Sequence, residues 1–267
     1  MLIGIIKAIV LGVVEGLTEF LPISSTGHLI IVNRWINFSP SFTTMFDVVI
    51  QLGAILAVIV YFWPRLWPFG KDQIQRQATL KIWGKTIIGV IPAIVLGALL
   101  GKLIEDKLFN PWIVAVMLLI GGLIILYVEK KRPQARFNSI HEIPLQTAFL
   151  VGLIQCLSMI PGTSRAAATI IGAMVLGASR TAAVDFSFFL AIPTMIAATG
   201  YSLLKHRAAM THAELIILIT GFVAAFVVAL TVIKFLLNYI KQHDLKPFGY
   251  YRLVLGILIL VLFSFLK

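Results

Sequence analysis

Leu11-Gly-Val-Val-Glu15-Gly-Leu-Thr-Glu19-Phe-Leu-Pro22-Ile-Ser24-Ser25-Thr26-Gly27-His28 starts as a greasy helix and ends in a polar break. Glu15 and Glu19 are four residues apart, so a helix puts both on one face. Each carboxylate costs roughly 2.5–3.5 kcal/mol at a bilayer centre on insertion scales. Two neighbouring anions in an apolar segment therefore need a cation, a proton or a ligand to meet them. Three hydroxyls and an imidazole follow within about three turns. The rest of the chain is read around this segment.

The 267 residues are 60% hydrophobic and only 12% charged, with a mean hydropathy of +1.00. A soluble domain carries about a quarter charged residues. The composition therefore predicts a single all-α polytopic membrane domain over 1–267. Six stretches are long and apolar enough to span, near 45–63, 86–104, 112–128, 185–204, 214–237 and 251–266. Trp63, Trp67, Trp112 and the Tyr250-Tyr251 pair read as interfacial anchors. The net charge of +11 would point to nucleic acid in a soluble protein. Here the basic residues lie in the loops, where they set topology and meet anionic lipid, so no nucleic-acid partner is expected. The single Cys156 has no partner within the chain for a disulfide and reads as packing. No basic n-region or Ala-x-Ala site marks a cleavable signal peptide.

Two further apolar segments are interrupted. Segment 2–36 breaks at Pro22-Ile-Ser-Ser-Thr-Gly27, and segment 144–180 breaks at Pro161-Gly-Thr-Ser-Arg165. Arms of about 12–18 residues around a Pro/Gly/Ser turn suit a re-entrant hairpin. A kinked spanning helix is the alternative, and the polar content of both breaks argues against it. An offset of 140 pairs Gly12 with Gly152, Leu17 with Leu157, Ser24 with Ser164, Phe46 with Phe186 and Tyr61 with Tyr201. The expected unit is one hairpin plus three spans, first over 1–128 and again over 144–267. Three spans are odd, so the second copy must be inverted and the breaks must meet near the midplane. Loops 64–85, 129–143 and 238–250 share one side and hold about eleven Lys and Arg, including Lys71, Lys85 and Arg132. Loops 105–111 and 205–213 oppose them with Lys107, Lys205 and Arg207. The basic side should be cytoplasmic, which turns the first hairpin's mouth outward.

The second break offers Thr163, Ser164, Arg165 and Thr169. Arg165 is a partner for buried anions and a fork for phosphate oxygens. A helix opening on Pro-Gly-Thr-Ser-Arg also presents free backbone N–H groups to an anion. Carboxylates beside an anion site repel the anion unless a divalent cation bridges the two. Mg²⁺ or Ca²⁺ would do so through oxygen ligands. A metal-assisted phosphoryl-transfer site is coherent, with a serine as nucleophile and His28 shuttling its proton. Asp47 and Gln51 open the next span and either support the site or cap the helix. Asp185 holds the matching place in the second half, with Arg180 as its expected partner. His141, His206, His212 and His243 read as solvated loop residues.

These motifs resemble the bacitracin-resistance type undecaprenyl-diphosphate phosphatases. Glu15 to His28 resembles that family's glutamate-rich signature, and Pro161 to Thr169 resembles its Pro-Gly-x-Ser-Arg signature. Phe46-Asp-Val-Val-Ile-Gln51-Leu-Gly extends the likeness, which runs nearly end to end. The resemblance implies an integral enzyme of the bacterial plasma membrane. It implies six spans plus two re-entrant pairs in inverted repeats, a site facing outward and dependence on a divalent cation. The substrate would be a polyprenyl diphosphate lipid, hydrolysed to recycle the carrier for the cell wall. Glu15 and Glu19 match the essential acidic pair, assigned to metal, and Glu19 also counts as catalytic. Ser25 matches the proposed nucleophile, with Ser24 its competitor and a metal-activated water a third candidate. His28 matches the adjoining histidine, and Arg165 the phosphate-binding arginine. Ser24, Thr26, Ser164, Thr169 and Gln51 fall in the substrate-binding group. Ala166 departs from the pattern, because many members carry serine after the arginine.

A transporter or flippase is the rival class, since broken helices and a midplane charged site serve transport too. The serine-plus-histidine cluster favours chemistry. Homo-oligomerisation is left open.

Overall fold

The protein is described here from a computed structural model covering residues 1–70, 72–131, 134–205 and 211–265. Ten α-helices lie among the described residues. They are α1 Leu2–Thr18, α2 Ser25–Val32, α3 Pro40–Leu66, α4 Gln73–Leu108, α5 Pro111–Lys131, α6 Leu145–Gln155, α7 Arg165–Val175, α8 Arg180–Lys205, α9 His212–Tyr239 and α10 Lys246–Phe265. A single 3₁₀ turn, Cys156–Met159, follows α6. Among the described residues six helices are long and apolar enough to cross a membrane, namely α3, α4, α5, α8, α9 and α10. The chain is a multi-pass membrane protein. The side chains invert the soluble pattern: Leu99, Leu123, Val227 and Ile257 face outward, while Glu15, Glu129 and Arg252 are buried.

Some boundaries move from expectation. The segment 64–85 is not one loop, because α3 runs to Leu66 and α4 begins at Gln73, capped by Asp72. Lys85 therefore sits in a helix, where it donates to the Ile140 and His141 carbonyls. Lys71, Arg132, His206 and Arg207 lie outside the described residues. His141, His212 and His243 are exposed, as expected of loop and helix-end residues. Arg180 does not pair with Asp185. It forks onto Glu129, and Asp185 binds Arg65 of α3 at 2.9 Å. Residues five apart on a helix point in different directions, so α8 sends these two side chains to different neighbours.

The packing has a recurring form. α1 packs on α9 and α6 packs on α4; α3 packs on α9 and α8 packs on α4. α3 also meets α8, and α5 meets α10. These contacts of one half thus have counterparts with the halves exchanged. A methyl group added at Gly12 would overlap the Gly221 carbonyl, and one at Gly152 would overlap the Gly89 carbonyl. Phe46 lies against Gly221 and Phe186 against Gly89. Small residues let these backbones touch, which is how helices associate where lipid offers no hydrophobic drive. Gly152→Ala is expected to cost at least ~1–3 kcal/mol through overpacking. Thermal unfolding in detergent would register this as a lowered midpoint.

Candidate active site

Both interrupted segments stop at a serine in an unusual backbone conformation. Ser24 has φ +74° and Ser164 has φ +69°, the two positive-φ non-glycine residues among those described. Such a conformation costs of order 1–3 kcal/mol and persists where surrounding structure imposes it. Each serine is the N-cap of the helix that follows. Ser24 Oγ accepts from the Gly27 N–H at 3.4 Å, and Ser164 Oγ accepts from the Ala167 N–H at 3.2 Å. The caps turn two helix N-termini, α2 and α7, into the ends of the breaks. Ser25 and Arg165 are the first residues of those helices.

Glu19 joins the two. The Ser25 hydroxyl donates to Glu19 Oε2 at 2.6 Å, and Arg165 Nη2 donates to Glu19 Oε1 at 3.1 Å. The ion pair is largely buried on both sides. Arg165 is held further by Nη1 donating to the Ser187 carbonyl at 3.3 Å and by the Phe20 ring under its guanidinium. Its Nε–H is buried and unbonded, as is the Thr163 hydroxyl. Two unused donors in a buried site are an invitation to an anion.

Glu15 lies one turn before Glu19, 0% exposed. No donor among the described residues reaches either of its oxygens. A carboxylate so placed demands a cation or a proton. Hard, unbonded oxygens fit a divalent ion. Among the described residues no three His, Cys, Asp or Glu side chains cluster to enclose a metal.

His28 is engaged at both ring nitrogens. Nδ1 lies 2.7 Å from the Ser24 carbonyl, which can only accept, so Nδ1 carries the proton. Nε2 then accepts from the Tyr251 hydroxyl at 2.7 Å, and the two rings stack. The Ser25 hydroxyl is oriented by Glu19 rather than by the imidazole.

The bacitracin resistance protein BacA family matches residues 8–258, a range that includes both breaks and the shared glutamate. The chain belongs to the BacA family. It is 48% identical to undecaprenyl-diphosphatase 1 of Clostridioides difficile, over 99% of this chain and 98% of that protein. It is 47% identical to an undecaprenyl-diphosphatase of Enterococcus faecalis, over 97% of both chains. A Lachnoclostridium phytofermentans undecaprenyl-diphosphatase is 49% identical over 96% of both.

In this BacA-family chain the remaining expected site residues divide. Thr26 is partly exposed in the first turn of α2, beside Ser25. Thr169 is spent on structure: its hydroxyl bonds the Arg165 carbonyl at 2.9 Å and the Ser187 hydroxyl at 2.6 Å. Gln51 is partly exposed on α3, and no hydrogen bond ties it to the site among the described residues. Asp47 is no helix cap, since α3 begins at Pro40. It accepts from Asn33 Nδ2 at 2.9 Å and so ties the end of α2 to α3. Ala166 is buried in the first turn of α7, and the cap of that helix is Ser164.

Two site residues were missed in sequence. Ser187 braces both Arg165 and Thr169, but a serine inside the 185–204 span carries no signal of its own. Tyr251 read as an interfacial anchor because it follows Tyr250, and its half-exposed ring fits that reading too. Tyr251→Phe keeps the stack and removes the hydroxyl. We expect phosphate release to fall roughly tenfold, against at least ~100-fold for His28→Ala.

Proposed function

We propose that this chain is an integral-membrane phosphatase that hydrolyses undecaprenyl diphosphate to undecaprenyl phosphate and inorganic phosphate. One observation carries the reading. A single carboxylate, Glu19, accepts from a serine of one break and an arginine of the other. A bare transport site needs binding groups but has no use for a serine hydroxyl held on a base. The reaction returns the lipid carrier for cell-wall synthesis and removes the diphosphate that bacitracin sequesters.

The residues divide the labour as follows. Arg165 offers Nε–H to the terminal phosphate while its other face stays on Glu19. The Thr163 hydroxyl and the first backbone N–H groups of α2 and α7 add donors. Ser25 Oγ attacks the terminal phosphorus as its proton passes to Glu19 Oε2. The bond from that phosphorus to the bridging oxygen breaks, and undecaprenyl phosphate leaves. Water then attacks the phosphorus of the phosphoserine, and His28, released from Tyr251, takes the water proton and passes it to solvent as inorganic phosphate leaves. Ser25 Oγ departs and recovers its proton from Glu19. Ser24 is the weaker candidate nucleophile because its oxygen caps α2. Glu15, with Glu19 beside it, would hold Mg²⁺ or Ca²⁺, which supplies positive charge to the phosphoryl oxygens when bound.

The two interrupted segments are re-entrant hairpins of an inverted repeat in a bacterial plasma membrane, with the site facing outward. Support comes from helix length and from the recurring contacts of the two halves. α6 and α7 have 11 residues each and α2 has 8, against the ~20 needed to span. Lys130, Lys131, Arg136, Lys241 and Lys246 gather at the helix ends assigned to the cytoplasm.

The test is phosphate release from undecaprenyl diphosphate by the purified full chain in detergent. Release with Mg²⁺ or Ca²⁺, lost on chelation and restored by adding the ion back, is expected. No release from folded protein with either ion would overturn the enzyme reading and favour the flippase.

A further inference from the structure

Arg252 is the largest fully buried side chain among the described residues, 0% exposed on α10. No carboxylate pairs with it among the described residues. Its five N–H groups instead meet five backbone carbonyls. Nε donates to Leu118 at 3.4 Å. Nη1 donates to Pro22 at 3.3 Å and Thr163 at 3.0 Å. Nη2 donates to Met117 and Gly162, both at 3.0 Å. The donor capacity of the guanidinium is thereby filled.

The acceptors fall into two groups. Met117 and Leu118 are inside α5 and use a second lone pair for Arg252. Pro22 belongs to the first break, and Gly162 and Thr163 belong to the second. Irregular backbone at membrane depth has no water to satisfy it and needs protein donors. Pro22 is two residues before the strained Ser24, and Thr163 is directly before the strained Ser164. Space for the guanidinium comes from Gly121, where a methyl group would overlap Nη2.

We infer that Arg252 is a positioning residue that fastens the two breaks to each other and to α5, and so sets the Ser25–Glu19–Arg165 spacing. This rests on the phosphatase reading for its kinetic consequence, but not for its structural one. Lysine keeps the charge yet has three donors on a flexible stem, and so cannot hold all five carbonyls in the directions the guanidinium fixes.

Two readouts on the purified full chain separate the claims. The first is amide hydrogen exchange, which needs no substrate. Arg252→Lys should lose protection in both breaks together, around residues 21–25 and 161–165, while α5 and α10 keep theirs. The second is steady-state phosphate release from undecaprenyl diphosphate. Arg252→Lys should lower kcat about 100-fold with little change in KM, as expected for ångström-scale misplacement of reacting groups. Gly121→Ala retains the arginine but displaces its guanidinium, and should move both readouts in the same direction. It decides the matter if Arg252→Lys does not fold. Protection lost across α5 and α10 as much as in the breaks would overturn the inference, as would unchanged protection or unchanged kcat. An inactive wild type with the expected exchange pattern would defeat the phosphatase reading and leave the fastening role intact.

Discussion

Glu19→Gln is expected to lower kcat for phosphate release by about 10³-fold while leaving the protein folded. Glutamine is close to isosteric, and its amide oxygen still accepts a hydrogen bond. It cannot take the Ser25 proton, and it no longer carries the charge that answers Arg165. Glu19→Ala should do more. Arg165 would be left as a buried cation without its anion, a change that costs roughly 3–5 kcal/mol when one partner of a buried pair is removed. The two variants together separate proton transfer from scaffolding. A thermal midpoint lowered in Glu19→Gln, where the amide oxygen still accepts from Arg165, and lowered further in Glu19→Ala is the expected pattern. Near-normal turnover in Glu19→Gln would remove the carboxylate from the chemistry.

Arg165→Lys is expected to lower kcat/KM by about 10²–10³-fold, comparable with losing a preorganised donor to a developing oxyanion. The guanidinium holds the Ser187 carbonyl and Glu19 and still has its Nε–H free. An ammonium has no planar fork and cannot meet these directions at once. Part of the loss should appear in KM, because Arg165 binds phosphate in the ground state as well. Steady-state kinetics with undecaprenyl diphosphate would check this. Arg165→Met should be worse in both parameters and should also lower stability, since it strands Glu19.

Much of this was legible in the sequence, for physical reasons. Hydropathy exposes six spans because lipid demands some twenty apolar residues for each. Pro22 and Pro161 mark the breaks, because proline interrupts a helix, whereas the capping role of Ser24 and Ser164 came only from the structure. Glu15 and Glu19 were conspicuous because charge is rare in such a chain. Arg165 was legible as a partner for the buried acidic pair, and it is Glu19 that takes it. Other contacts between distant segments were not legible, and nothing in the sequence says that the second Glu19 oxygen serves Ser25. Arg180 was paired with its nearest acid in sequence, whereas its partner Glu129 is 51 residues away. Tyr251 and Arg252 stand at the start of a routine span, 223 and 230 residues from His28 and Pro22. Helix periodicity says which face a residue occupies, but the neighbour of that face is set by tertiary packing.

The most direct measurement is steady-state phosphate release by Ser25→Ala and Ser24→Ala beside wild type, each with saturating divalent cation and each verified as folded. Ser25→Ala should lose at least ~10³-fold in kcat, as expected when the attacking group of a unit is removed. Ser24→Ala should lose only the benefit of a helix cap, roughly 1 kcal/mol of stability and a modest fraction of the rate. Turnover surviving in Ser25→Ala would contradict the account and move the attack to Ser24 or to water.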